Sequence, residues 1–163
     1  MGMGMINGAL SVKASITLYD ALVRSILEYG AEIWGADGWE EGEKIQREMG
    51  KRILRCHGKT TNEAVLGELG WWRLRTRREF IKLKYWLKIL LMKDTNLVKK
   101  IYRWSKDEYI EKGNKNWCEN IHKLIIKYGL NSIWNDEELI YKIESDNPTQ
   151  DKVKKYWLKR RSG

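Results

Sequence analysis

Tryptophan and tyrosine stand close to lysine and arginine along much of this chain, and together these residue types could bind nucleic acid. The sequence has nine Trp and eight Tyr but a single Phe. Examples are Trp71-Trp72-Arg73, Tyr85-Trp86-Leu87-Lys88 and Tyr156-Trp157-Leu158-Lys159. An aromatic face can stack on a base, while a cation attracts phosphate. The alternative for any single Trp on a helix is a place in the core, where its size favours burial.

Two segments carry their basic residues at helical spacing. In the first segment, 40–56, the cations Lys44, Arg47, Lys51 and Arg55 follow at intervals of three, four and four residues, beside a separate stripe of apolar residues. The second segment, 71–93, is the longest predicted helix and is strongly basic. An ordinary solvated face explains such stripes as well as a phosphate-facing one does. The candidate nucleic-acid contacts are Lys44, Arg47, Lys51, Arg55, Arg73, Arg77, Arg78, Lys84 and Lys88.

The cysteines and histidines could form a zinc site, but their spacing argues against it. Cys118 and His122 are four residues apart, so a helix would place them on one face. Cys56 and His57 are adjacent, and adjacent helical side chains point apart. We therefore expect two buried cysteines and two incidental histidines, with no metal and no cofactor.

No catalytic motif is apparent. The acidic groups Glu40-Glu41, Glu43 and Asp136-Glu137-Glu138 are available for metal chemistry, but they fit helix N-termini better. No Gly-rich phosphate loop is present in the sequence. We expect no catalytic residue and no enzymatic activity in this chain.

Composition narrows the partner and the compartment. The net charge of +9 favours a polyanionic partner, although it also suits a merely soluble cationic surface. Two cysteines are too few for a disulfide framework, so we expect an intracellular protein, nuclear or cytoplasmic. The uncharged stretches fall short of the ~20 apolar residues that a membrane span needs. No basic residue precedes Lys13, so no signal peptide is expected.

Helices must position these residues, because nearly every apolar stretch has helical rather than alternating spacing. We predict an all-α fold, an irregular bundle of about seven to eight helices. Residues 1–14 are expected to be a tail or added residues, 15–94 one helical region and 95–163 another. The predicted helices are 15–34, 40–56, a short one beginning at Thr61, 71–93, 97–112, 117–128, 136–144 and 150–159.

Two helices have apolar stripes that can be checked residue by residue. In the long helix, Phe80, Leu83, Leu87 and Leu90 should be buried, while Arg77, Lys84 and Lys88 should face solvent. In the first helix, capped by Ser15, the stripe comprises Tyr19, Leu22, Val23, Ile26, Leu27, Ile33 and Trp34.

The stretch from Leu18 to Gly35, with its Leu-Tyr, Val-Arg, Tyr-Gly and Trp elements, resembles a known family. It is similar to the segment that follows the catalytic palm in reverse transcriptases of non-LTR (LINE-like, jockey-like) retrotransposons. The resemblance continues through Lys44-Ile45-Gln46-Arg47 and Ala64-Val65-Leu66-Gly67, and covers Ile16 to Met92. Ser25 and Trp72-Arg73 stand where the family usually has proline-containing sequence.

The resemblance implies a thumb-like region that grips template RNA or an RNA–DNA hybrid through the nucleic-acid backbone. The family's Tyr-x-Asp-Asp palm motif is missing from this sequence, so no catalytic residue can be carried over. The alternative hypothesis is a basic helical protein–protein interaction module, in which exposed Trp and Arg anchor the partner.

Overall fold

The computed structural model describes residues 10–35 and 38–136, and it confirms the predicted all-α class. The described residues form helices and no strand. The predicted helices 136–144 and 150–159 lie outside these residues, apart from Asp136 itself, as does most of the predicted tail. The tail prediction was too long, because the first helix already begins at Val12.

The chain divides into two compact units, Met1–Leu83 and Lys84–Gly163. The division falls inside a helix, earlier than the boundary predicted after residue 94.

The first unit opens with one uninterrupted helix in three parts. These are α1, Val12–Leu18, a π-helical segment, Tyr19–Arg24, and α2, Ser25–Leu27. The cap is Ser11 and not the predicted Ser15, since the Ser11 hydroxyl accepts a hydrogen bond from the Ala14 amide at 3.2 Å.

The helix predicted to run to Trp34 is interrupted at Gly30. This glycine has φ of 66°, and a new helix, α3, Ala31–Trp34, starts after it. The Trp34 indole lies against Gly30, so that a Cβ added there would sit 2.7 Å from Trp34 Nε1. Only glycine meets both conditions without strain, which makes this turn a feature of the sequence.

Three further helices complete the first unit: α4, Glu40–Leu54, α5, Asn62–Glu68, and the start of α6, Leu74–Leu90. The core cluster consists of Tyr19, Ile53, Leu66 and Trp71, with half-buried apolar side chains around it. Gly50 of α4 allows close packing, because a Cβ there would lie 2.7 Å from the Val65 side chain.

A buried amide joins α4 to the start of α6. Gln46 is fully buried, donates to the Trp72 carbonyl at 2.9 Å and accepts from the Leu74 amide at 2.9 Å. The Leu74 amide belongs to the first turn of α6, where helical N–H groups have no partner within the helix. Gln46 therefore fixes where α6 begins and which residue of α4 it faces.

The buried face of α6 differs from the predicted one. Leu83 and Leu90 are buried as predicted, whereas Phe80 and Leu87 are only half-buried. Trp86 and Ile89 are also buried, in the part of α6 that belongs to the second unit. Ile89 lies on the wide apolar face that the sequence predicts for this helix, whereas Trp86 was not predicted to be buried.

The second unit adds α7, Leu97–Lys112, α8, Trp117–Tyr128, and α9, Asn131–Asn135. Asn96 and Asn116 cap α7 and α8, and Gly113 and Gly129 end them in the left-handed conformation. The breaks predicted near Asn114 and Gly129 are confirmed, whereas α9 was not predicted. The core is built from Trp86, Tyr102, Cys118, Ile121, Leu124, Ile125, Ile133 and Trp134.

A buried lysine closes the end of α6. Lys99 donates to the carbonyls of Leu90 and Met92, each at 2.9 Å, and pairs with Asp94 at 3.0 Å. The hydrogen bond from Lys99, helped by Arg103, lowers the pKa of the Asp94 carboxyl below its ordinary value. The contribution of ionised Asp94 to stability is therefore present above the ordinary pKa of a carboxyl group. It is lost as pH falls through the lowered pKa of Asp94.

Burial separates two leucines of α6 that the sequence pattern treats alike. Leu90→Ala should lower the free energy of unfolding by about 2–5 kcal/mol, because Leu90 is fully buried. Leu87→Ala should cost clearly less, since Leu87 is half-buried. Urea denaturation of both variants measures the difference, and equal losses would contradict the buried face described here.

The Gln46 bridge makes a second prediction. Gln46→Leu keeps the side-chain size but leaves the Trp72 carbonyl and the Leu74 amide unpaired, so we expect a loss of about 2–4 kcal/mol from two unsatisfied groups. Glu48→Ala, on an exposed position of the same helix, is the control and should change stability by less than about 0.5 kcal/mol. An unchanged free energy of unfolding for Gln46→Leu in urea denaturation would mean that the Gln46 hydrogen bonds do not stabilise this unit.

Candidate nucleic-acid interface

Four cations gather where α4 ends and the following loop begins. We call Lys51, Arg52, Arg55 and Lys59 the basic cap. No acidic residue occurs in the sequence from Met49 to Asn62. Arg52, Arg55 and Lys59 are exposed, and none of them has an ion pair among the described residues.

Hydrogen bonds hold the loop of the basic cap in one conformation. Lys51 Nζ donates to the Gly58 carbonyl at 2.7 Å, and the Thr60 amide donates to the His57 carbonyl at 2.9 Å. The Lys59 amide also donates to Nδ1 of His57 at 3.1 Å. Lys51 thus serves the loop, while the other three cations of the cap are presented by an ordered backbone.

The helix dipole accounts for only part of the basic cap. Cations in the last turn of a helix are favoured by its partial negative end, which explains Lys51 and Arg52. Arg55 follows the helix with φ of 53°, and Lys59 lies further along the loop. The effect of the dipole falls off within one turn, so it reaches Arg55 at the helix end but not Lys59.

Sequence reasoning included Lys51 and Arg55 but missed Arg52 and Lys59. Both missed residues lie off the three-four-four spacing that defined the predicted stripe. The signal that could have found them was the acid-free run of the sequence, since a run without acids leaves cations unneutralised.

Several predicted contacts are neutralised by neighbouring acids instead. Arg47 pairs with Glu40 at 2.5 Å, Arg73 with Glu63 at 3.0 Å, and Arg77 with Glu28. Lys44 lies 4.0 Å from Glu48, at the limit of an ion pair. Arg77 was predicted to face solvent, but it is partly buried by its contact with Glu28. These residues contribute less positive potential than their number suggests.

Arg78 belongs to the interior of the first unit. Its side chain is buried, and its guanidinium lies 5.1 Å from the centre of the Trp39 ring. A cation over an indole face is attracted by the ring's negative charge. Arg78 is therefore not available to contact nucleic acid.

Lys84 and Lys88 are exposed on α6, as predicted. They stand four residues apart, so their ammonium groups share one side of the helix. Neither forms an ion pair with a described residue. They lie in the second unit and form a separate basic site from the basic cap.

The eight tryptophans that the structure describes divide between the core, half-buried positions and the surface. Trp71, Trp86 and Trp134 are buried, which confirms the core alternative for them. Only Trp34 and Trp104 are exposed among the described residues.

One aromatic cluster of the first unit contains an unusual buried hydroxyl. Tyr19 stacks on Trp71 with ring centres 4.2 Å apart, and Arg24 lies over both rings at 5.4 and 5.6 Å. The Tyr19 hydroxyl is buried without a hydrogen-bond partner, and burial raises the pKa of this phenol. The ring, and not the hydroxyl, supplies the favourable contacts.

The cysteines and histidines are held within their own units. Cys118 is buried beside the Tyr102 carbonyl, and His122 contacts the Tyr109 hydroxyl at 3.0 Å and stacks on Trp134. Cys56 Sγ lies 3.7 Å from the Lys51 carbonyl. Among residues 10–35 and 38–136, no group of three or more His, Cys, Asp or Glu could hold a metal ion.

None of the helices in the described part of the chain has the length and apolar character to cross a membrane. Comparisons with protein-family models, curated proteins and solved structures found no match. The geometry and charge of the described residues therefore carry the functional argument.

The unpaired hydroxyl of Tyr19 gives a test of the aromatic cluster. Tyr19→Phe keeps the ring on Trp71 and beneath Arg24 but removes a buried polar group, so we expect stability to be unchanged or higher by up to about 1–2 kcal/mol. Tyr19→Leu, which loses the stacked ring, should be destabilising and is the control. A clear loss in Tyr19→Phe by thermal or urea unfolding would mean that the hydroxyl has a partner.

Proposed function

We propose that this protein binds nucleic acid through the backbone phosphates, with the basic cap as its main contact. The observation that carries the proposal is the set of exposed cations Arg52, Arg55 and Lys59 on an ordered loop in an acid-free stretch. Phosphate contacts supply most of the sequence-independent affinity of such proteins. Lys84 and Lys88 supply a second, smaller site.

The chemistry of the basic cap favours contacts to phosphate over contacts to bases. Its cations are long and flexible, and the exposed tryptophans Trp34 and Trp104 are not part of it. The sequence from Met49 to Asn62 also contains no Trp, Tyr or Phe that could stack on bases. We expect little sequence preference, with RNA or an RNA–DNA hybrid recognised by its backbone.

The resemblance to the post-palm segment of non-LTR retrotransposon reverse transcriptases supports the same function. It includes α4, which carries part of the basic cap. In this proposal the chain is a thumb-like element that holds template and primer without performing catalysis. The alternative, a protein–protein interaction module anchored by exposed Trp and Arg, would use Trp34 and Trp104, which lie outside the basic cap.

A salt titration combined with one triple variant tests the proposal. The intact protein should bind labelled RNA and hybrid duplexes with log affinity falling linearly with log salt. The variant Arg52→Gln/Arg55→Gln/Lys59→Gln should bind RNA of any sequence more weakly. Its slope of log affinity against log salt should be shallower by about 2–3. Fluorescence anisotropy over a series of salt concentrations measures both quantities.

A charge-matched variant separates the basic cap from net charge. Lys44→Gln/Lys112→Gln/Lys123→Gln removes three lysines that each stand four residues from a paired glutamate. It should keep most of the affinity and the salt slope. If both variants lose affinity equally, binding follows net charge alone and the proposed site is wrong.

A further inference from the structure

The first unit exposes a row of large apolar side chains where the sequence predicts a single apolar face. The exposed fractions are 62% for Leu22, 72% for Ile26, 85% for Tyr29 and 60% for Trp34. Leu18 and Ile33 extend the row at either end, at 46% and 45%. We call these six residues the apolar row. Of the predicted stripe, only Tyr19 and Leu27 are buried, and Val23 is half-buried.

The winding of the helix keeps the first three residues of this row, Leu18, Leu22 and Ile26, on one side. Leu18, Leu22 and Ile26 repeat every four residues, and so do Tyr19, Val23 and Leu27 on the buried side. An α-helix of about 3.6 residues per turn would rotate such a repeat by roughly 40° at each step. The wider turn of the π-helical segment, Tyr19–Arg24, counters this drift. The helix therefore maintains a buried stripe and an exposed apolar stripe together.

The polar side chains within the face are already satisfied by their own helix. Ser25 Oγ donates to the Ala21 carbonyl at 2.8 Å, and Thr17 Oγ1 donates to the Lys13 carbonyl at 3.1 Å. Burying this face would leave neither hydroxyl without a partner. Desolvation, which opposes burial of polar groups, is therefore small here.

The charges beside the apolar row do not favour nucleic acid as its partner. Between Thr17 and Ile26, the cation Arg24 pairs with Asp20 at 2.7 Å, and both turn away from the exposed stripe. Further along, Glu28 pairs with Arg77. A face that is locally neutral gives phosphate little attraction, and it keeps like charges out of the contact between two chains that each carry a net charge of +9.

The size and relief of the face fit a second copy of this chain. With side chains 45% to 85% exposed, the six residues of the apolar row together offer on the order of 700 Å² of surface, about half of it from Leu18, Leu22 and Ile26; each partner gives ~800 Å² to a standard interface. The small residues Ala21 and Ser25 are exposed and alternate with Leu18, Leu22 and Ile26. Large side chains of one helix can enter the gaps beside small residues of an identical helix, as a two-fold symmetric contact requires.

We propose that the apolar row is a homodimer interface, in which the helix Val12–Leu27 of one copy packs on the same helix of the other. The interface is dry at its centre, with Tyr29 and Trp34 at its edge. This proposal does not depend on nucleic-acid binding.

Sedimentation velocity of the full chain, without nucleic acid and at moderate salt, tests the proposal. The average mass should rise from the monomer value of 19.4 kDa toward twice that value as concentration increases over about 1 to 100 μM. The variant Leu22→Glu/Ile26→Glu should raise the dissociation constant at least about tenfold, because it places four carboxylates in the buried contact. Its far-UV spectrum should be unchanged, since both positions are exposed in the monomer.

The matched control places the same two substitutions elsewhere. Leu97→Glu/Ile101→Glu changes an exposed leucine and isoleucine, also four residues apart, on α7 of the second unit. It should leave self-association intact. If the Leu22/Ile26 variant does not fold, the uncharged Ile26→Gln gives the same comparison, with a smaller expected rise in the dissociation constant.

Two results would overturn the proposal. One is a monomer mass at every concentration, which would assign the apolar row to a different partner. The other is self-association that is kept in the Leu22→Glu/Ile26→Glu variant but lost in the Leu97→Glu/Ile101→Glu control. A Leu22→Glu/Ile26→Glu variant that is monomeric but keeps its salt-dependent RNA binding would support the homodimer interface. It would also show that RNA binding does not depend on this interface.

Discussion

The buried amide of Gln46 is the constraint on which the first unit depends. It holds the carbonyl before α6 and an amide of its first turn, so α6 can begin at one place only. A hydrophobic residue there would leave two backbone groups without partners, which costs more than the apolar burial would return. Because the start of α6 is fixed, the next residues of α6 within the first unit are fixed as well, including the buried Lys82, whose ammonium reaches the Ile33 carbonyl at 2.7 Å.

Lysine side chains similarly satisfy backbone groups at the ends of other helices. The last carbonyls of a helix have no partner within it, and a cation from a neighbouring helix can satisfy them. Lys82 does so at the end of α3, and Lys99 at the end of α6. Lys106 donates to the Trp134 carbonyl of α9 at 3.0 Å and lies over the Trp134 ring. Part of the high positive charge of this chain therefore serves its fold.

That use of lysine explains why the sequence predicts the helices better than the site. Apolar spacing and the glycines at 113 and 129 locate α7 and α8 correctly, because those signals are local. Whether a cation meets a carbonyl, an acid or solvent depends on helices far away in sequence. Arg77 and Arg78 are neighbours on α6, yet one pairs with Glu28 and the other lies over Trp39. No spacing rule separates them, whereas an acid-free run such as 49–62 excludes acidic partners nearby in sequence.

The same limit applies to the first helix, where periodicity identifies apolar residues but not which of them are covered. Tyr19 and Leu22 are three residues apart and equally apolar in pattern, yet one is buried and the other is exposed. The difference arises because a four-residue repeat carries two apolar stripes, and the unit covers only one of them. A soluble protein rarely leaves such a stripe in water, since exposed apolar surface of several hundred Å² usually marks a contact. We therefore propose different partners for the two surfaces: a second copy of the same helix for the apolar row and a phosphate backbone for the basic cap.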